Sequence, residues 1–254
     1  MNKDEIVLIL ESGPSSVERG FFSFVIQFVS VHRHYFIQNI DYKIYFDLRN
    51  SAYSDYTGNH WDIFFEQDNL PIGTRTFWGD SGNVYGYTFD FNDTEERKIA
   101  KKIIDKHLIL KPHINEKIQS YFNEFFVGKK ILGVHKRGTD INMHHENPHI
   151  DEYFKIIDNI YKDYDSIYLA CDDQAGIDLF KKRYDNIINL SYSTTSQDVD
   201  LPNFKTDMSD RHKMAEDVII DGYLLSKCDF LIKMNSNLSN FSLLLEPSLD
   251  FVMI

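Results

Sequence analysis

The residues best suited to chemistry gather between His135 and Glu146, where the chain reads His-Lys-Arg-Gly-Thr-Asp and then Ile-Asn-Met-His-His-Glu. Arg137 carries a planar, permanently charged fork that fits a pair of phosphate oxygens. Gly138 beside it lets the backbone turn tightly and approach a ligand. Asp140, His144, His145 and Glu146 are carboxylates and imidazoles, groups that exchange a proton near neutral pH. Further along, Asp172 and Asp173 stand side by side, and Asn235, Ser236 and Asn237 open a helix that also contains Ser239. A helix start presents unpaired N–H groups and a positive dipole end, a natural seat for a diphosphate. Plainer readings stand beside these. Ser236 and Asn237 are good N-cap types, Asp173 caps the next helix equally well, and His135 fits as an ordinary core histidine.

The elements that position these residues follow from apolar periodicity. Strands are expected at 130–135, 166–171, 186–190, 229–233 and 251–254, with helices at 150–161, 174–184, 214–227 and 236–246 between them. Short apolar strands alternating with helices signal a parallel sheet of Rossmann type. Ligands bind beyond the carboxyl ends of such strands, which is where His135, Arg137, Asp172 and Ser236 fall. The first half predicts a strand at 6–10, a long helix at 18–36, a strand at 42–47, aperiodic loops from 50 to 91, and two helices separated at Lys111-Pro112. A boundary near Phe126-Val-Gly-Lys129 divides the chain into an acceptor-side domain, 1–127, and a nucleotide-binding domain, 128–254.

Composition limits the partners. Asp and Glu outnumber Lys and Arg by 39 to 27, for a net charge of -12. That balance argues against a nucleic-acid scaffold, while a few placed cations still allow an anionic small ligand. With 20 Phe and 15 Tyr the chain is too apolar to be disordered. Cys171 and Cys228 read as reduced core thiols, and no CxxC metal spacing occurs. The absence of a bilayer-length apolar run and an acidic N-terminus lead to the expectation of a cytoplasmic protein without a transmembrane segment.

The segment Val134-His-Lys-Arg-Gly-Thr-Asp140 resembles the His-x-Arg-Arg-Thr-Asp or His-x-Arg-Gly-Thr-Asp signature of GDP-fucose-dependent fucosyltransferases, the α1,6 and nodulation types included. Ile167-Tyr-Leu-Ala-Cys-Asp-Asp173 is similar to that family's Tyr-Leu-Ala-Thr-Asp-Asp segment. The block from Glu216 to Ile232 looks like its helix–strand unit, and Asn235-Ser-Asn-Leu-Ser239 falls where the family carries Ser-Ser. The resemblance spans roughly residues 130–246. It implies an α/β, GT-B-like fold of two Rossmann-type domains with the donor site in the C-terminal one. It also implies an inverting, metal-independent glycosyltransferase that needs no cofactor. The donor is a nucleotide sugar, GDP-fucose, and the acceptor a glycan or lipid-linked sugar. By position, His135, Arg137 and Gly138 hold the diphosphate, Asp172 and Asp221 bracket the nucleoside, and Ser236, Asn237 and Ser239 close over the phosphates. The strictest form of the motif has a second arginine where this chain has Gly138, and Lys136 and Arg211 are the basic residues available to replace it.

Other readings are a transferase using a different nucleotide sugar and a nucleotide-sugar-binding module that has lost turnover. A dinucleotide site is disfavoured, because no G-x-G-x-x-G follows a predicted strand. The acceptor base is expected in the loop after the motif, with Glu146 as the carboxylate and Asp140 as the alternative or as the anchor of the loop. Glu146→Gln preserves size and hydrogen bonding, so it should cut turnover while leaving GDP affinity nearly intact. Turnover within a few-fold of the native rate, about 1 kcal/mol of barrier, would remove Glu146 from that role.

Overall fold

The computed structural model describes residues 6–11, 20–39, 42–49, 58–67, 76–77, 89–137, 148–190 and 208–254. Two compact units make up the chain, Met1–Ile114 and Asn115–Ile254. The division lies inside a helix, whereas the sequence placed its boundary at that helix's far end. A turn there does require glycine: Gly128 has φ 75, the left-handed region that costs other residues a clash with Cβ.

Among its described residues the first unit contains three parallel strands, β1 (Ile6–Glu11), β2 (Tyr42–Asp47) and β3 (Thr76–Phe77), in the order β2-β1-β3. Helix α1 (Phe21–Gln38) links β1 to β2, and Asn39 ends it at φ 52, donating its N–H to the Phe36 carbonyl. Asn tolerates that left-handed cap because its side chain is short and polar. Phe21, Phe24, Val25, Phe28 and Val29 of α1 are buried. The expectation of plain loops from 50 to 91 needs correction, since α2 (Trp61–Phe64) and β3 both fall within it. Neither is long enough to show a period. Aromatic packing holds α2 instead: the Trp61 ring lies 4.9 Å from Phe28, 4.5 Å from Phe46 and 4.4 Å from Phe65. Asn59 ties this turn to the end of β2, accepting from Leu48 N at 2.9 Å and donating to the Phe46 carbonyl at 2.7 Å. Helix α3 (Thr94–His107) begins at Asp93, whose side chain accepts from Glu95 N at 2.8 Å. It docks on α1 through the two-pronged Arg33–Glu96 pair, at 2.8 and 2.5 Å. Pro112 then starts α4 (Pro112–Phe125), a position where its missing N–H costs nothing.

Among the described residues of the second unit five strands are parallel: β4 (Ile131–Lys136), β5 (Ser166–Cys171), β6 (Ile187–Ile188), β7 (Phe230–Lys233) and β8 (Phe251–Met253), in the order β6-β5-β4-β7-β8. Helices α5 (Ile150–Ile160) and α6 (Gln174–Arg183) cover one face, where Tyr153, Ile157, Ile177 and Phe180 meet Leu132, Val134, Leu169 and Ile232. Helices α7 (Met208–Leu225) and α8 (Asn237–Leu245) pack on each other, and Ser242 Oγ donates to the Gly222 carbonyl at 2.9 Å. At the amino-terminal edge, carboxylates accept from the backbone: Asp229 from Ile131 N and Asp165 from Lys130 N, both at 2.7 Å. Helix α7 starts earlier than the sequence suggested, because its first turns are polar and offer no apolar stripe; Lys213 there pairs with Asp217 and Glu216. Strand β6 is shorter than expected. Cys171 and Cys228 are free and buried, as anticipated. Among the described residues no helix is long and apolar enough to cross a membrane.

One contact in the first unit makes its stability sensitive to acid. The rings of His32, on α1, and His107, ending α3, stack at 4.1 Å. Burial lowers both, and the Lys106 cation lowers them further; His107 falls from 6.5 to about 4. A folded value below the unfolded one means that unfolding takes up protons. The stability contributed by the neutral rings is therefore complete above about pH 6.5 and is lost as pH falls through about 4. Thermal melts from about pH 7 to about pH 4 should show Tm declining, and His107→Phe, which keeps a ring in the stack, should flatten that decline. An unchanged slope in the variant would place the acid sensitivity elsewhere.

Candidate functional site

The strand order of the second unit reverses between β4 and β7, and an open parallel sheet binds ligands in the crevice beyond such a reversal. His135 lies at this edge, in register with Ala170 of β5 on one side and Lys233 of β7 on the other. Just past β4, Arg137 N donates to Met234 Sδ at 3.4 Å, which draws the exits of β4 and β7 together.

His135 is only 4% exposed, and its Nδ1 has no hydrogen-bond partner among the described residues. The Tyr153 hydroxyl donates to its carbonyl at 3.3 Å, fixing the strand end. Burial, then the Arg137 and Lys233 cations, push its pKa down to about 3. The imidazole is therefore neutral at working pH, able to donate or accept a hydrogen bond but not to act as a cation.

Lys136 points to the opposite face. Its ammonium meets Asp173 Oδ2 at 3.0 Å, while Asp173 Oδ1 accepts from Ala175 N at 3.1 Å and caps α6. Gly176 makes room for this pair, since a Cβ there would come 2.9 Å from Asp173 Oδ2 and 3.3 Å from Lys136 Nζ. Asp173 is thus a cap and an ion-pair partner, and Lys136 is already committed to it. Asp172, half-buried, leaves β5 at the same edge as Arg137.

The remaining residues separate into two groups. Ser236 occupies the N-cap position of α8 and is buried, yet its side chain makes no capping hydrogen bond. Asn237 is exposed on the first turn. Ser239 is fully buried, and its hydroxyl donates to the Met234 carbonyl at 3.2 Å and the Ser236 carbonyl at 3.3 Å, bracing the strand-to-helix turn from inside. Asp221 lies within α7, 5% exposed, accepting from the Tyr168 hydroxyl at 2.5 Å. Burial and that carboxylate hold the Tyr168 phenol well above its usual pKa, so it remains a donor. His135, Arg137, Asp172, Ser236 and Asn237 therefore meet at the strand exits, whereas Ser239 and Asp221 act from within the unit. Gly138, Asp140 and Glu146 lie outside the described residues, as does the side chain of Arg211.

Sequence reasoning missed Lys233. It ends β7, it is 1% exposed, and its ammonium lies 5.6 Å from the centre of the Phe251 ring. Burial pushes its pKa down to about 8. The signal was available: a lysine closing the otherwise apolar run Phe-Leu-Ile, one strand away from the His135 position.

Comparison with known proteins agrees with this architecture. The crystal structure of NodZ alpha-1,6-fucosyltransferase soaked with GDP-fucose superposes with a TM-score of 0.62 at 16% identity, covering 95% of this chain and 93% of that one. A structure of fucosyltransferase NodZ from Bradyrhizobium gives a TM-score of 0.61 at 15% identity over 94% of this chain and 93% of that chain. An Arabidopsis thaliana FUT1 mutant in complex with GDP gives 0.54 at 10% identity, covering 100% of this chain and 71% of that one. The fold is accordingly the α/β, GT-B-like one of these fucosyltransferases. No curated protein matches the sequence. A family model describing alpha-(1,6)-fucosyltransferase N- and catalytic domains matches residues 102–237, a span that starts inside α3, upstream of the motif. That is more than half of the chain, and the protein belongs to this family of glycosyltransferases.

Proposed function

We propose that the protein transfers fucose from GDP-fucose to a hydroxyl of a glycan or lipid-linked sugar, with inversion and without a metal ion. The observation that carries this reading is the meeting of Arg137, the neutral and buried His135 and the start of α8 at the β4–β7 reversal. Departing GDP gains negative charge as the glycosidic bond breaks, and donors already in place stabilise that charge without rearranging. Arg137 supplies the fixed cation and a two-pronged contact, and the first turn of α8, with Ser236 and Asn237, supplies N–H groups and a dipole end. His135 hydrogen-bonds the diphosphate as a neutral imidazole. Asp172 flanks the nucleoside, while Asp221, held by the Tyr168 hydroxyl, braces the unit from within. Ser239 keeps the β7–α8 turn in shape and acts at one remove. Metal independence is supported by the state of the aspartate pair after β5: Asp173 is taken by Lys136 and by the helix it caps. The acceptor hydroxyl loses its proton to Glu146, with Asp140 anchoring the loop.

The test is transfer and hydrolysis of GDP-fucose by the native protein and by variants at Arg137. Activity should persist in EDTA. Arg137→Ala should lose about 100- to 1,000-fold in turnover, the scale for removing one donor from a developing anion. Arg137→Lys should recover little, because the fork is lost. Near-normal turnover by Arg137→Ala would refute the diphosphate assignment, and loss of activity in EDTA with recovery in manganese would refute the metal-free chemistry.

A further inference from the structure

We propose that Lys233 is a second cation of the donor site, a buried ammonium that leaves the Phe251 ring to pair with the donor's diphosphate. The inference rests on the reading of the β4–β7 edge as the GDP site. A diphosphate brings more charge than one guanidinium balances, and the protein around it is acidic, at -12 overall. The chain has Gly138 after Arg137, and Lys136 is neutralised by Asp173.

Lys233 is placed to supply the deficit. Its Cα is the direct partner of His135 across β4 and β7, a separation of about 4.8 Å between strands. The flexible four-carbon stem of a lysine spans that distance. Among the described residues its ammonium has no carboxylate partner, and the contact that holds it is the Phe251 ring at 5.6 Å. A buried ammonium opposite an aromatic face is only partly compensated, and an incoming anion repays its desolvation much more fully.

Among the described groups on β4, β8, α8 and α7 that have a shifted pKa or a named partner, Lys233 is the one held near 8. On β4, His135 is neutral because its pKa is about 3, and Arg137 is permanently charged. Neither β8 nor α8 carries an acid or base within its span. On α7, Asp217 is paired with Lys213 and Asp221 with Tyr168. Burial holds the Lys233 pKa at about 8, and an adjacent phosphate restores it upward, so GDP binding takes up a proton. Binding therefore weakens as pH rises through about 8.

The experiment is titration calorimetry of the native chain with GDP from about pH 7 to about pH 9, repeated in buffers of different ionisation enthalpy. Affinity should fall about tenfold across that range, with proton uptake near pH 8. Lys233→Met should bind GDP about tenfold or more weakly at pH 7 and lose the step, because a charge-assisted contact is gone. Lys233→Arg, charged throughout, should bind without the step. Comparison with Lys233→Met removes the titration of GDP itself. A native curve that is flat overturns the inference without needing any variant to fold. Equal affinity and equal pH dependence in Lys233→Met overturn it too, and in both cases the GDP site stands. Failure of the native chain to bind GDP at all overturns the proposed function instead.

Discussion

Strand β5 lies on one side of β4 and β7 on the other, so the chain leaves β4 toward helices on one face and reaches β7 from a helix on the opposite face. The two exits part, and a crevice opens at their carboxyl ends without any special loop being required. The described residues at the strand exits inherit their place from this reversal. His135 is central because β4 is the central strand. The Arg137 backbone lies beside Met234, two residues before the Ser236 cap of α8, because β7 is β4's neighbour, and Met234 Sδ, accepting from Arg137 N, holds the two exits in contact. Parallel pairing on both sides of β4 is what lets one strand serve both halves of the crevice.

Charge at this edge is arranged by burial as much as by residue type. The imidazole is kept neutral, one lysine is cancelled by an aspartate, another is left against an aromatic ring, and an arginine stands at the opening. In a protein with a surplus of acids, cations in a low-dielectric crevice are felt far more strongly by an anion than the same cations on the surface. The cost of holding them there falls on stability, which the apolar layers of α5, α6 and the sheet supply.

Much of this was legible in the sequence. The bounds of α3 and β5 follow from capping and from an uninterrupted apolar run, and Asp93 and Asp173 are caps in the structure as their types suggest. Elements without a period stayed hidden: α2, which depends on Trp61 packing against distant aromatics, and the polar first turns of α7. At the site, spacing placed His135, Arg137, Asp172 and Ser236 on one edge. It did not separate residues that face a ligand from residues that brace the frame. Ser239 bonds inward to two carbonyls, and Asp221 is held by a tyrosine of another strand; both depend on partners far away in sequence. Lys233 was passed over because its burial is a tertiary property.

Gly133, in the middle of β4, has consequences for Cys228. A side chain there would come within 2.9 Å of the Cys228 sulfur and 3.2 Å of Leu231 Cδ1, so the strand backbone itself lids the thiol. Cys228 is buried, and burial raises its pKa well above the ordinary value. An alkylating reagent needs both access and a thiolate, and the folded β4–β7 seam denies it both. Modification of Cys228 is thereby tied to separation of these two strands, which makes the sulfur a built-in clock for the opening of the sheet at the place where its order reverses.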